Sequence, residues 1–298
     1  MTARADHLAR RHRRERRFRR ACAAAVGLAL LALGWLLATL LARGVPDIVE
    51  HGLGALLLSP DASSAARAGL ATAGLGSAAL VGLTIALALP LGLVSAIYLE
   101  EFAPREGWGA RLVRGLTVVI NNLASVPAIV FGLLGLALFI GGLGLARSAV
   151  LTGALVLALR IVPTVIIGSR SALASVPPTL TDGALSLGAS HMQAVFEHKL
   201  PSAAPGIFTA GVLSVAQALS EAAPLLLIGM VAFINRPPAA LDDPATALPV
   251  QIFMWAEAGG PDWSARAAAA ALVLLGALLA VNLLAAWARA RLRERTMR

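Results

Sequence analysis

Two ionisable side chains lie deep inside apolar runs of this chain: Arg160 in ALVLALRIVPTVII and Glu221 in LSEAAPLLLIG. A charge at the centre of a bilayer costs roughly 2.5–3.5 kcal/mol on insertion scales, so it marks a functional site by default. Arg presents a planar fork of donors that matches the oxygens of an anion. Glu221 can neutralise Arg160 when no anion is bound, and repel or steer one that passes. Both residues are therefore read as lining a translocation path, with a structural ion pair between neighbouring spans as the alternative. Other chemistry is poorly supplied. His191 and His198 stand seven apart with no third ligand nearby, so no metal site is predicted. Lys199 is the only lysine and no G-x-x-x-x-G-K-[ST] precedes it, so the chain has no ATPase site of its own. The glycines of GGLGLARS follow no strand and make no phosphate cradle. No Ser/His/Asp or Cys/His set suggests hydrolysis, and the chain is not expected to be an enzyme.

The longest polar stretch of the second half, TLTDGALSLGASHMQAVFEHKLPSAAP from Thr179 to Pro205, separates two apolar runs. It is too polar to cross a bilayer and reads as two short helices. Thr179 or Thr181 caps the first, Gly188 interrupts, and Ser190 with Gln193 forms a capping box for the second. Met192, Val195 and Phe196 share one side at i, i+3, i+4 spacing, so that helix needs a partner surface. Pro201 is expected to end it, and Pro205 precedes the next apolar run.

These residues are positioned by a membrane protein. Of 298 residues 58% are hydrophobic and only 14% charged, and the mean hydropathy is +0.79, outside the range of soluble globular domains. The net charge of +9 comes mainly from the two ends, flanking apolar runs; membrane topology explains that placement better than nucleic-acid binding. The one cysteine, Cys22, excludes an internal disulfide framework.

In chain order, residues 1–21 are a basic cytoplasmic tail touching anionic lipid. Residues 22–42 are a first span without an A-x-A-like cleavage site, hence a retained one. Residues 43–67 form an outer loop. Further spans are predicted at 68–99, 116–140, 151–169, 206–233 and 265–288. Gly69, Gly74, Gly76 and Gly82 thin the second for close helix contact, and Pro90 and Gly92 kink it. An outer loop covers 235–263, where Trp255 and Trp263, like Trp35 and Trp287 near span ends, read as interface anchors. Residues 289–298 are a second basic tail. Of the 25 Lys and Arg, 19 then fall on the side of the chain ends and 5 opposite, which places both termini and the 179–205 loop in the cytoplasm.

The loop resembles the cytoplasmic EAA loop of ABC importer membrane subunits, which has an E-A-A triplet, a Gly four residues on, and an I-x-L-P ending. Asp182, Gly183 and Ala184 hold the triplet, Gly188 the glycine, and His198, Leu200 and Pro201 the ending. VPAIVFGLLGLALF (126–139), ALRIVPTVI (158–166), SEAAPLLLIG (220–229) and ALPVQIFMWA (247–256) resemble PstA-type phosphate permeases. The likeness covers most of the chain from about residue 68. Where those permeases have R-x-x-G-E, this chain has Gln217 and Ser220 before Glu221; Gln keeps N–H donors without the charge.

The resemblance implies an all-α polytopic protein with six transmembrane helices and the type I ABC importer permease fold (MetI-like), its core at 68–288 and its coupling loop at 179–201. It implies a bacterial cytoplasmic-membrane subunit translocating inorganic phosphate, with Arg160, Gln217 and Glu221 along the path. Asp182, Gly183, Ala184, Gly188, Leu200 and Pro201 would engage an ATPase subunit, present in two copies, that binds the ATP. A companion permease subunit and a periplasmic phosphate-binding protein complete the assembly; no cofactor is held by this chain. Another oxyanion as cargo, or an ATP-independent secondary anion carrier or channel, are the alternatives.

Overall fold

The computed structural model describes the backbone of residues 2–296 and the side chains of residues 15 and 17–291. Twelve α-helices and three π turns make up the architecture among these residues. Helix α1 (Thr2–His51) is followed by the short α2 (Leu53–Leu58). Helix α3 (Ala71–Ile97) widens into a π turn at Tyr98–Phe102, and α4 (Gly107–Ala124) and α5 (Ala128–Gly135) follow, the latter running into a π turn at Leu136–Gly142. Then come α6 (Val150–Ala174), α7 (Pro178–Ser186) and α8 (His191–Gln193), which continues through a π turn at Ala194–Lys199 into α9 (Leu200–Ser220). The chain closes with α10 (Ala223–Leu227), α11 (Leu248–Glu257) and α12 (Pro261–Thr296).

Among the described residues, five helical stretches are long and apolar enough to cross a membrane: Arg17–His51, Ala71–Phe102, Val150–Ala174, His191–Ser220 and Pro261–Arg291. The pair Gly107–Ala124 and Ala128–Gly142, bent by 104°, makes a sixth if taken as one broken span. The straight third span predicted at 116–140 is therefore replaced by a sharp corner. Pro127 sits just before α5, and a residue preceding proline is pushed out of the helical region, so Val126 cannot carry α4 onward.

Helix α6 is the most buried of the candidate spans and packs against α3, α4, α5 and α9. Ala88, Ala158, Ile161, Val165 and Ala218 form the core between α3, α6 and α9. Small residues permit the approach: a Cβ at Gly92 would stand 2.6 Å from Val165 Cγ1, and one at Gly168 2.6 Å from the Cβ of Ala210. Of the glycines predicted to thin the second span, Gly69 and Gly76 face backbone carbonyls closely, whereas Gly74 and Gly82 face open space. The contact that sets the spacing of α3 and α6 is lower down, at Gly92.

Several predicted boundaries move. Residue 1 of the predicted tail lies outside the described residues, and residues 2–21 and 43–51 are helical and continuous with the first span; the last turns of α1 are held by Arg266, whose guanidinium lies 2.9 Å from Asp47 Oδ2. The fifth span ends at Ser220, because Pro224 has no N–H for the Ser220 carbonyl and its ring would crowd it. Residues 235–263 are not simply a loop: α11 buries Leu248, Pro249, Val250, Gln251 and Trp255. Trp255 is thus core, 3% exposed, and Trp263 packs against the same cluster, while Trp35 and Trp287 are exposed. The last basic segment continues α12 to Thr296.

Polar contacts sort the two ends of the bundle. Arg170 with Glu100 and Lys199 with Glu101 lie at one end, where Arg289 also borders a cavity with Ser175 and Pro205. Asp47–Arg266 lies at the other, at the end of α1 and the start of α12. The start of α1, the end of α12 and the 178–199 segment accordingly share one face.

Candidate functional site

Helix α6 carries Arg160 and the end of α9 carries Glu221, and the structure brings them together. Arg160 Nη2 lies 2.7 Å from Glu221 Oε1, with side chains 22% and 16% exposed. Glu221 reaches this position because it has left the helix: its φ of −83° and ψ of 116° are extended, between the last turn of α9 and the first of α10. Helix α5 packs against α10 beside the same break, and a Cβ at its Gly132 would stand 2.9 Å from Pro224 Cα. Two interrupted helices thus meet beside an ion pair.

The pair leaves hydrogen-bonding capacity unused. Arg160 Nε and Gln217 Oε1 are both enclosed and without a partner. Gln217 lies one helical turn before Glu221 on α9, and its side-chain oxygen is not bonded to Arg160. A buried polar group left unsatisfied costs about 1–3 kcal/mol, which a ligand with oxygens or hydroxyls would recover. The Gln217 amide turned end for end would present N–H donors there instead.

The second candidate region is the 178–201 segment. Neither Thr179 nor Thr181 caps α7; Pro177 precedes the helix, Pro178 occupies its first turn, and Thr181 Oγ1 donates to the Pro178 carbonyl. Gly188 makes the turn at φ +92°, where an L side chain would be strained. Ser190 and Gln193 form the predicted capping box: Gln193 N donates to Ser190 Oγ at 3.3 Å, and Ser190 N donates to Gln193 Oε1 at 2.9 Å. Pro201 does not end the helix. The π turn immediately before it widens the backbone, so the proline ring is accommodated and one helical stretch runs from His191 to Ser220.

Of the three residues predicted to share a packed side, only Val195 is buried, against Ile97, Leu173, Val176 and Ala203. Met192 and Phe196 are exposed, as are Leu180, Leu185 and, at 91%, Leu187. Asp182, Gly183, Gly188 and Pro201 are exposed too, Leu200 is half-buried and Ala184 is buried. The segment therefore presents an apolar surface with an acid at its edge. His191 packs edge-on against Phe102, with ring centroids 5.2 Å apart, and His198 is exposed.

Polar clusters that sequence reasoning missed hold the opposite end. Arg266 is fully buried; it pairs with Asp47 and donates to the Ala68 carbonyl through Nε at 2.8 Å and Nη2 at 2.6 Å. Asp61 accepts from Ala62 N, Gln251 Nε2 and Trp255 Nε1. Burial pushes its carboxyl above the usual range, a rise that those three donors oppose. Exposed Asp243 accepts from the N–H groups of Ala239 and Ala240, which hold its carboxyl below that range. The signal for Arg266 was present: an Arg followed by an unbroken run of apolar residues belongs to the span it opens.

A family model described as a binding-protein-dependent transport system inner membrane component matches residues 88–296, and a model of a domain of unknown function matches residues 5–55. The phosphate transport system permease protein PstA 1 of Mycobacterium tuberculosis is 32% identical over 265 residues, 88% of this chain and 84% of that one. The probable ABC transporter permease protein YqgH of Bacillus subtilis is 36% identical over 152 residues, 49% of this chain and 48% of that one. Among solved structures, the MetNI methionine ABC transporter in an inward-facing conformation has a chain that superposes with a TM-score of 0.57 at 16% identity, over 73% of this chain and 93% of that one. At that identity the likeness speaks to the fold.

Proposed function

The chain belongs to the family of binding-protein-dependent transport system inner membrane components, and from that premise we propose that it is the membrane-spanning permease of an ATP-driven importer for inorganic phosphate. The observation that carries the cargo is the 32% identity, over most of both chains, to a phosphate transport permease. The chain is a multi-pass membrane protein, and its fold is that of a transporter subunit.

The reading assigns a role to each of the two regions. Arg160 and Glu221 neutralise one another at rest, which makes two charges tolerable among apolar helices. A phosphate oxygen replaces the Glu221 carboxylate on the Arg160 fork and finds an additional donor in the free Nε. The released Glu221 repels the anion, so the same exchange that admits phosphate favours its departure. Gln217 supplies neutral hydrogen bonds beside the path, where phosphate permeases of this type carry a cation.

The exposed face of Leu180, Leu185, Leu187, Met192 and Phe196 is the docking surface for an ATPase subunit, with Asp182, Gly183, Ala184, Gly188, Leu200 and Pro201 framing it. A solvated apolar face of this kind needs a partner. In this reading that face is cytoplasmic, and both chain ends lie with it. Two ATPase copies, a companion permease subunit and a periplasmic phosphate-binding protein complete the machine. ATP is held and hydrolysed by the ATPase; this chain transmits the motion.

Reconstitution of the assembled complex in vesicles, followed by uptake of labelled phosphate with arsenate, sulfate and molybdate as competitors, tests the proposal. ATP-dependent uptake suppressed by unlabelled phosphate supports it. Uptake driven by a proton or sodium gradient without ATP would instead identify a secondary carrier, and preferred suppression by another oxyanion would replace the cargo.

A further inference from the structure

The π turn that ends α3 places three consecutive side chains on three different partners. Glu100 Oε2 accepts from Arg170 Nε of α6 at 3.2 Å. Glu101 Oε1 lies 2.6 Å from Lys199 Nζ, at the end of the 191–199 segment, with side chains 6% and 14% exposed. Phe102 meets His191, at the start of that segment, edge-on. Between these two anchors Val195 is fully buried against Ile97, Leu173, Val176 and Ala203. One turn therefore grips both ends of the 191–199 stretch and, through Glu100, the helix that carries Arg160.

We propose that Glu101–Lys199, seconded by Glu100–Arg170, is a clasp that passes displacement of the docking segment to α3 and α6, making these four residues positioning residues for coupled transport. The clasp rests on the reading that the exposed face from Leu180 to Phe196 docks an ATPase. Three features point to transmission rather than simple stability. The segment is exposed on its far side, so a force applied there enters the bundle through these contacts, through the packing of Val195, and through the chain links to α6 and α9. Arg170 and Arg160 lie ten residues apart on one continuous helix, about 15 Å, so a shift at one is felt at the other. The chain's only lysine stands at the junction of the segment with α9, and its partner is the more enclosed of the two acids in the turn. The pair is thus less screened by solvent than an exposed ion pair, its two groups meeting by charge and not through an aligned hydrogen bond.

The test uses the assembled importer in vesicles, with Glu101→Gln, Lys199→Met and the exchanged double variant Glu101→Lys with Lys199→Glu. Each single variant is expected to co-purify with the ATPase and hydrolyse ATP, while phosphate taken up per ATP falls about tenfold, the scale of ordinary coupling energies. The exchanged double variant recovers the ratio to within about threefold, since the pair rather than either residue carries the link. Unchanged uptake per ATP in the single variants overturns the clasp, as does a double variant that recovers protein yield but not the ratio. If a single variant fails to accumulate, Lys199→Arg, which keeps the charge on a different geometry, carries the same comparison. A parent complex that takes up no phosphate sinks the cargo assignment alone; the clasp is then read from stimulation of ATP hydrolysis by the binding protein, which the single variants would lose and the exchanged variant regain.

Discussion

Replacing the whole intramembrane pair separates transport from architecture. Removing only one partner, as in Arg160→Met, leaves Glu221 enclosed without its counter-charge. With a charge separation of about 4 Å and an effective dielectric near 20, the lost attraction is about 4 kcal/mol. That agrees with the roughly 3–5 kcal/mol measured when one member of a buried pair is deleted, and the one-fifth exposure of both side chains moves the expectation toward the lower figure. The double variant Arg160→Met with Glu221→Leu removes both charges and fills the space with apolar atoms. Such a replacement is neutral, or stabilising by about 1–4 kcal/mol. The single variant should lose yield and thermal stability in detergent, followed by fluorescence-detected size exclusion, while the double variant matches the parent. Uptake of labelled phosphate should be abolished in both, because the donors that meet the anion are gone. A double variant that folds and still transports at the parental rate would refute the pathway role and leave a structural tie between α6 and α9.

Three further outcomes follow from other contacts. Asp47→Leu leaves Arg266 buried with only the Ala68 carbonyl, and should destabilise the bundle by about 3–5 kcal/mol in thermal unfolding; Asp47→Leu with Arg266→Met should recover most of it. Because burial raises the Asp61 carboxyl, the folded chain holds that proton more tightly than the unfolded one. Its contribution is complete below the ordinary carboxylate value and declines as pH climbs through the raised one, a slope that Asp61→Asn should remove from unfolding measured across the acid range. Gly188→Asp imposes a side chain on a φ of +92° and a charge beside the exposed Leu187. It should abolish co-purification with the ATPase while membrane insertion, followed by fractionation, stays intact.

Much of the site was legible because the bilayer makes charge conspicuous. Arg160 and Glu221 stood out as the ionisable residues deep in apolar runs, and their pairing needed only two neighbouring spans. The capping box at Ser190 and Gln193 was equally legible, since both hydrogen bonds close within four residues. The break after Ser220 was harder to see. A proline does not always interrupt a helix: Pro201 and Pro205 are carried within one, where a π turn stands just ahead, and Pro224 is not. The burial of Arg266 was hidden for a different reason. Its partners, Asp47 and the Ala68 carbonyl, lie 219 and 198 residues away in the chain, so local composition showed only an arginine next to a loop.

By itself, the amino-acid sequence determined that this chain is a multi-pass membrane protein, that a capped polar segment stands between two apolar runs, and that Arg160 and Glu221 are the charges deep within such runs, because each of these is a property of composition and short-range spacing. Only the tertiary structure decided that the Glu221 carboxylate leaves its helix to meet Arg160, that Trp255 and Arg266 are interior, and that Glu101 and Phe102 hold the two ends of the 191–199 stretch. Those outcomes depend on which distant groups can satisfy a buried donor or fill a gap, and that is settled when the helices pack.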